Sequence, residues 1–476
     1  MIYGKAYDET DPISIERYAQ GLIGKTFGQV CDEDDKKKGF MLVKEEVAPY
    51  GYAQKHENKK RKGGLGEIIE ERYFHYAANN DSRPDFPEAG VELKVTPYRK
   101  NKNGTLSAKE RLIITMIDYM NVVNEPFYDS HLWGKANLIL LVYYLYMEGI
   151  KNRLDYRIDY ARLFSPPKED IKIIEADYNF IVNKIRQGKA HELSEADTMY
   201  LGAAPKAATS ADRRQQPFSS EMAKPRAFAF KNSYMTYVLN HYIVPGKRTY
   251  EPILTSATEE TFEQYVTNKI GAYKGKSVEE LCVTFDIETR PKDLGALIAY
   301  RILGIKGNHA EEFEKANIVV KTIRIGANNK IKESMSFPNF KFKELVQEEW
   351  DDSVFGTYLR ETRFLFVVYK FDDNGELILK GSKFWNIPYH DLEFEVKSVW
   401  ERTKKVLIEG VQLRYNGNCT TNNFPKATEN PVCHVRPHGK NAKDTYELPD
   451  GRQYTKQCFW LNNTYILSQM DAEFFE

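Results

Sequence analysis

Pro84-Asp85-Phe86-Pro87-Glu88-Ala89-Gly90-Val91-Glu92-Leu93-Lys94 is the stretch on which the reading of this chain turns. Val91 to Val95 alternates apolar and charged residues, the period of a half-buried strand. On that strand Glu92 and Lys94 leave by one face, while Val91, Leu93 and Val95 enter the core. Asp85 precedes the strand in a proline-bracketed turn and can share one small cavity with Glu92. Two carboxylates within reach of each other need a cation between them, and Mg2+ suits all-oxygen ligands with phosphate as co-ligand. A lysine beside them can orient an attacking water or offset charge growing on phosphorus. The grouping predicts metal-dependent phosphodiester chemistry. Spacing alone does not establish it, because Glu57-Asn58-Lys59 and Glu395-Val396-Lys397 repeat the pattern and read as solvated faces.

The rest of the chain sets the frame. Its 476 residues suit two domains of over 200 residues each, and 42% hydrophobic with 13% aromatic content supplies packed cores. Lys+Arg and Asp+Glu both number 68, so net charge neither favours nor excludes a nucleic-acid partner. Clustering says more: Lys55, Lys59, Lys60, Arg61 and Lys62 crowd upstream of the motif, where a loop can track phosphates. Five cysteines, with no paired framework, point to a reducing compartment. Cys433-His434-x3-His438 with Cys458 lacks a CxxC and reads as structural rather than as a zinc site. No signal peptide is evident, and the longest apolar run, Leu138 to Met147, reads as a buried strand rather than a membrane span. The expectation is a soluble intracellular protein of the cytoplasm.

The chain also reads as two divergent copies of one fold. Gly24 to Cys31 (GKTFGQVC) is echoed by Gly275 to Cys282 (GKSVEELC), and Leu65 to Glu70 by Leu294 to Ala299. Asp85 with Val91 to Thr96 is echoed by Glu312 with Ile318 to Ile323, and Lys135 before its strand by Glu361. The offsets are 229 (299 − 70), 227 (312 − 85) and 226 (361 − 135), a near-constant spacing in one order. The second copy has exchanged the chemistry: Ala299 stands for Glu70, Val319 for Glu92 and Glu361 for Lys135. That predicts a domain that binds without cutting. The predicted organisation is a catalytic domain over 1–245, a linker over 246–260 and a degenerate copy over 261–476. Alternating strand and helix patterns give each half a mixed α/β core, and Arg213 to Pro225 reads as an exposed loop.

KGGLGEIIE (62–70), DFPEAGVELK (85–94) and SHLWGK (130–135), in this order, resemble the mismatch-repair nicking endonuclease MutH and its relatives, the type II restriction enzymes that cut GATC. GVELKVTPYRK (90–100), KERL (109–112), GKAHELSE (188–195) and SMSFPNFKFKEL (334–345) look like the two-copy restriction enzymes in particular. The resemblance implies two tandem restriction-endonuclease-like domains of the PD-(D/E)xK type, each a central mixed sheet flanked by helices. It makes Asp85, Glu92 and Lys94 the catalytic triad, adds Glu70 as a further acid and metal ligand beside Asp85 and Glu92, and makes Lys135 a supporting lysine. It implies Mg2+ as cofactor, duplex DNA containing GATC as partner, and a cut 5′ of the guanine.

DNA-reading positions follow the same resemblance: Lys62 and Gly63 in the glycine-rich entry, Pro205 and Lys206 in a major-groove loop, and Arg226, Ala229 and Lys231 downstream. Ala204 stands where the family carries arginine before the proline, and Ala229 where MutH senses adenine methylation with a tyrosine. A missing ring predicts tolerance of methylated GATC. In the second copy Arg436-Pro437 restores the arginine–proline pair, with Lys440 nearby, and arginine there can pair with guanine. One competent site facing a palindrome predicts a chain that is monomeric alone and pairs on DNA, with the second copy binding a further site as effector. A strand-nicking repair enzyme and a non-catalytic DNA-binding regulator are the alternatives.

Overall fold

The computed structural model describes residues 6–44, 64–76, 83–207, 209, 211–244, 250–255, 260–415, 417 and 420–476. The basic run from Lys55 to Lys62, Gly63 and Cys419 lie outside the described residues. The chain forms two compact units, one of Met1–His191 with Thr198–Thr249, the other of Glu192–Asp197 with Tyr250–Glu476.

The first unit is built on a sheet of β1 (Glu92–Lys100), β2 (Leu106–Ala108), β4 (Ile139–Leu145) and β5 (Ile158–Phe164), in the order β2-β1-β4-β5. β1 runs parallel to β4, while β2 and β5 are antiparallel to their neighbours, so the sheet is mixed. Ile139 to Tyr143 are fully buried, as a central strand requires. A second sheet holds β3 (Leu112–Met116), β6 (Leu201–Pro205) and β9 (Arg226–Phe230), in the order β3-β9-β6. Arg214–Gln216 (β7) and Ser219–Ala223 (β8) form a hairpin where the sequence suggested an exposed loop. The reason is Gln216, which is buried and takes the Ala190 N–H on Oε1 at 2.7 Å while its Nε2 donates to the Glu221 carbonyl at 2.7 Å. Helices flank the sheets: Pro12–Ala19, capped by Asp11, lies on β5, and Lys168–Arg186 lies on β6. The mixed α/β class is the one the sequence patterns predict.

The second unit repeats this plan. Its main sheet is β10 (Ile318–Ile325), β12 (Arg363–Phe371) and β13 (Leu377–Trp385), ordered β10-β12-β13, with one parallel and one antiparallel pairing. β11 (Met335–Phe340), β16 (Cys433–Pro437) and β19 (Gln457–Leu461) form the second sheet, ordered β11-β19-β16. β14 (Arg414–Tyr415) pairs with β15 (Thr420–Thr421), and β17 (Thr445–Glu447) with β18 (Gln453–Thr455). The correspondence reaches single bonds. Gly24 N–H donates to the Ile158 carbonyl at 2.8 Å, and Gly275 N–H to the Leu379 carbonyl at 2.8 Å. Both glycines take positive φ, 87° and 90°. Part of the expected linker is folded into this unit: Glu251 accepts from the Lys306 and Gly307 N–H groups, and Ile253 is buried.

Candidate active site

The turn before β1 is closed on itself, Phe86 N–H to the Val91 carbonyl at 2.9 Å and Val91 N–H back to the Phe86 carbonyl at 3.2 Å. Gly90 sits at φ 66°, a conformation costly for a side chain, and lets the turn reverse within four residues. Asp85 is thereby folded back beside the strand, where its Oδ2 accepts the Leu93 N–H at 2.8 Å. Glu92 follows on β1, only 2% exposed. Its Oε1 accepts from Lys94 Nζ at 2.6 Å. Ser130 caps the helix His131–Ala136 by accepting the Trp133 N–H, and the last turn of that helix brings Lys135 Nζ to 3.3 Å from Glu92 Oε2. Despite that approach, Oε2 is buried and has no hydrogen-bond partner. A buried carboxylate oxygen left open beside two lysines is an unsatisfied acceptor of the kind a cation or a substrate-held water completes.

Glu70 completes the group by way of a break in the helix that carries it. The helix Gly64–Ile68 passes into a π-turn, Ile69–Tyr73, which carries Glu70. The π-turn is strapped from behind: Arg72 Nη1 meets Asp34 at 2.9 Å and Asp35 at 2.7 Å, and Tyr73 Oη donates to the Tyr18 carbonyl at 2.6 Å. Burial, then the charge of Asp85, pushes the Glu70 carboxyl up to about 7. Asp85 is raised as well, by burial first and Glu92 second, with the Leu93 N–H, Lys94 and Lys135 working the other way. Acids that raise one another's pKa in a partly desolvated site mark where positive charge is wanted. Among the described residues no three His, Cys, Asp or Glu side chains converge as a self-sufficient cage. The donor set therefore suits an ion that takes one or two carboxylates and completes its shell with water and phosphate.

Tyr76 belongs to the site although no sequence pattern marked it. It packs edge-on against Phe86 with centroids 5.4 Å apart, its N–H donates to the Glu70 carbonyl at 3.1 Å, and its buried hydroxyl has no hydrogen-bond partner. Burial and the charges of Asp85, Glu70 and Glu92 keep that hydroxyl protonated far above ordinary tyrosine, so it is available only as a neutral donor or acceptor.

The expected DNA-reading positions divide. Pro205 and Lys206 are exposed at the end of β6. Arg226 and Lys231, read from sequence as DNA contacts, are turned inward instead: Arg226 Nη1 donates to the Ala203 carbonyl at 2.6 Å and Lys231 Nζ to the Thr198 carbonyl. They brace the β6–β9 region because buried cations must find acceptors. Ala229 is 1% exposed within β9. Lys62 and Gly63 fall outside the described residues.

In the second unit, Pro437 pairs across its ladder with Gln457 as Pro205 pairs with Arg226, which puts Arg436 at the place of Ala204. Trp460 likewise matches Ala229, each facing the residue two before its proline's arginine or alanine. The exposed Arg436 guanidinium lies 4.4 Å above the Trp460 ring, and Lys440 is exposed nearby. The cysteine–histidine group is structural: His434 Nδ1 lies 2.6 Å from Asn462 Oδ1, and Cys433 and Cys458 are fully buried.

Residues 74–177, which hold Asp85, Glu92, Lys94 and Lys135, match the family model of the DNA mismatch repair enzyme MutH. The MutH proteins of Shewanella sp. (strain ANA-3) and Vibrio parahaemolyticus are 28% and 27% identical over 201 and 234 residues, which is 41% and 47% of this chain but 86% and 92% of theirs. Sau3AI, a type II restriction enzyme of Staphylococcus aureus, is 39% identical over 458 residues, covering 87% of this chain and 93% of its own. A single-copy relative thus matches about half of the chain, and a relative of similar length matches nearly all of it. The chain belongs to the family of type II restriction enzymes that includes Sau3AI, MutH-related site-specific deoxyribonucleases.

Proposed function

We propose that the chain cuts duplex DNA at GATC, 5′ of the guanine, with hydrolysis carried out in the first unit and a further GATC bound by the second. The observation that carries the catalytic half is the buried Glu92 carboxylate, ion-paired with Lys94 and Lys135, with no hydrogen-bond partner on Oε2 and the charges of Asp85 and Glu70 beside it. Asp85 and Glu92 would hold Mg2+, with water and phosphate completing its shell and Glu70 holding its waters; the ion lowers the pKa of a water and offsets charge on the scissile phosphate. Lys94 holds the attacking water in line with phosphorus and Lys135 faces the phosphate oxygens. Asp85 is kept in place by the Leu93 N–H. In-line attack leaves a 5′-phosphate and a 3′-hydroxyl. Among the described residues no helix is long and apolar enough to cross a membrane.

Plasmid digestion with MgCl2 and mapped ends tests the reading. Four-base 5′ overhangs reading GATC are expected; no cleavage, or nicks in one strand only, would overturn it. Adenine-methylated and unmethylated plasmids are expected to be cut at rates within about threefold of each other. At position 229 only a methyl group buried in the sheet is present, so no ring projects toward an N6-methyl group. Complete protection by methylation would refute that part.

The effector role of the second unit rests on retention of Arg436, Pro437 and Lys440 where the cutting residues have gone. Plasmids with one GATC are then expected to be cut several-fold more slowly than plasmids with two, because two chains must pair on DNA to cut both strands. Equal rates, with no stimulation by an added GATC duplex, count against it.

A further inference from the structure

The position in the second unit that matches Lys94 holds a lysine without an ion pair or hydrogen bond among the described residues. β10 repeats β1 in register: Glu92 and Lys94 face Ile139 and Leu141 of β4, and Val319 and Lys321 face Phe364 and Phe366 of β12. The counterparts of Glu70, Glu92 and Asp85 around that lysine are gone or occupied. Ala299, in place of Glu70, is fully buried in the helix Leu294–Ile302. That helix approaches so closely that a Cβ on Gly295 would stand 2.7 Å from Thr322 Cγ2 of β10. Glu312, in place of Asp85, has both oxygens taken by main-chain donors, the Ile253 and Leu254 N–H groups at 2.9 Å each. Lys94 of the first unit is neutralised by Glu92 at 2.6 Å, whereas Lys321 has no ion pair or hydrogen bond among the described residues. Burial lowers its pKa.

We propose that Lys321 is an anion-binding residue that takes a DNA backbone phosphate without a metal ion, so that the second unit grips its duplex through the remnant of a cutting site. A half-buried ammonium without a counter-ion is unfavourable alone and becomes favourable when a phosphate enters. In the first unit the same phosphate meets three acids and needs a cation first. The two units should therefore differ in their metal requirement for binding DNA. The inference rests on the effector reading given above and adds the contact and its independence of metal.

The test uses the full chain, a fluorescein-labelled GATC duplex and fluorescence anisotropy in EDTA across a salt series. Lys321→Met is expected to weaken metal-free binding about tenfold and to reduce the slope of log affinity against log salt by about 1, the value of one lost phosphate contact. Lys321→Arg should restore most of both. Thermal unfolding of the free Lys321→Met protein should be unchanged or raised, because an apolar chain of similar length replaces an uncompensated charge, and this separates lost contact from lost fold. Arg436→Ala is measured alongside. If Arg436→Ala weakens binding and Lys321→Met changes neither affinity nor slope, the assignment of Lys321 is overturned and the effector reading stands. If neither variant alters metal-free binding, the effector reading itself falls.

Discussion

Glu92→Ala and Lys94→Ala are each expected to lower the single-turnover rate of DNA cleavage by about a thousandfold or more, at the upper end of what removing one charge-stabilising group costs. Both side chains act on the same point. Glu92 is 2% exposed, accepts from Lys94 on Oε1 and offers an unmatched Oε2. Glu92→Ala removes the only carboxylate, among the described residues, that is ion-paired with both lysines, and leaves Lys94 and Lys135 as adjacent cations. Metal-free binding of duplex DNA should then hold or tighten, since a phosphate no longer meets that negative charge. Lys94→Ala leaves Glu92 with Lys135 alone, so metal binding should survive while water placement fails. Rapid-quench cleavage of a labelled GATC duplex, with anisotropy in EDTA and thermal unfolding as companions, reads these effects. Cleavage by either variant within about tenfold of the parent protein would sink the assignment, because no second acid–lysine pair of this geometry is available in the first unit among the described residues.

The strand that carries this pair was legible because the cause is local. Val91-Glu92-Leu93-Lys94 alternates, and a period of two fixes which side chains share a face whatever the neighbours are. The repeat was legible for a related reason: Gly24 and Gly275 both need positive φ, and each strand pair must end in the same hydrogen-bonded corner. What the sequence concealed depends on tertiary partners. Leu65, Ile68, Ile69 and Tyr73 are spaced as on one continuous helix, but the π-turn at Ile69–Tyr73 exists because Arg72, Tyr73 and Phe74 are tied to Asp34, Tyr18 and Tyr7. Tyr76 reaches the site only through that turn. The family resemblance makes Arg226 and Lys231 DNA contacts, but a resemblance in sequence does not say where a cation points; here carbonyls of Ala203 and Thr198 draw them inward. Gln216 has the same effect on the segment read as a loop, ordering it into a hairpin by bonding at both ends of its amide.

The metal-free protein is expected to lose stability as pH rises from about 4.5 to about 7, and Glu70→Gln is expected to abolish that part of the loss. The sign follows from the carboxyl being raised from 4.5 to about 7 by burial and by Asp85. Between those values the folded chain holds a proton that the unfolded chain has released, so each step up in pH favours unfolding; above about 7 both states are ionised and the slope vanishes. Asp85, raised as well, adds to the same trend at the acidic end. A divalent cation held at this carboxylate would reverse the preference, since it would bind the ionised form and have to displace the proton. Metal affinity should therefore climb with pH up to about 7, by at most tenfold per unit for one displaced proton, and then level off. Cleavage at subsaturating Mg2+ should follow the same profile, whereas saturating Mg2+ should move its midpoint to lower pH. Thermal unfolding across pH 5 to 8 in EDTA and in MgCl2, for the parent protein and Glu70→Gln, checks both halves. The variant should unfold at a higher temperature than the parent in EDTA at pH 8 and gain less from Mg2+. Parallel pH profiles for the two proteins would show that Glu70 neither carries the raised carboxyl nor meets the ion.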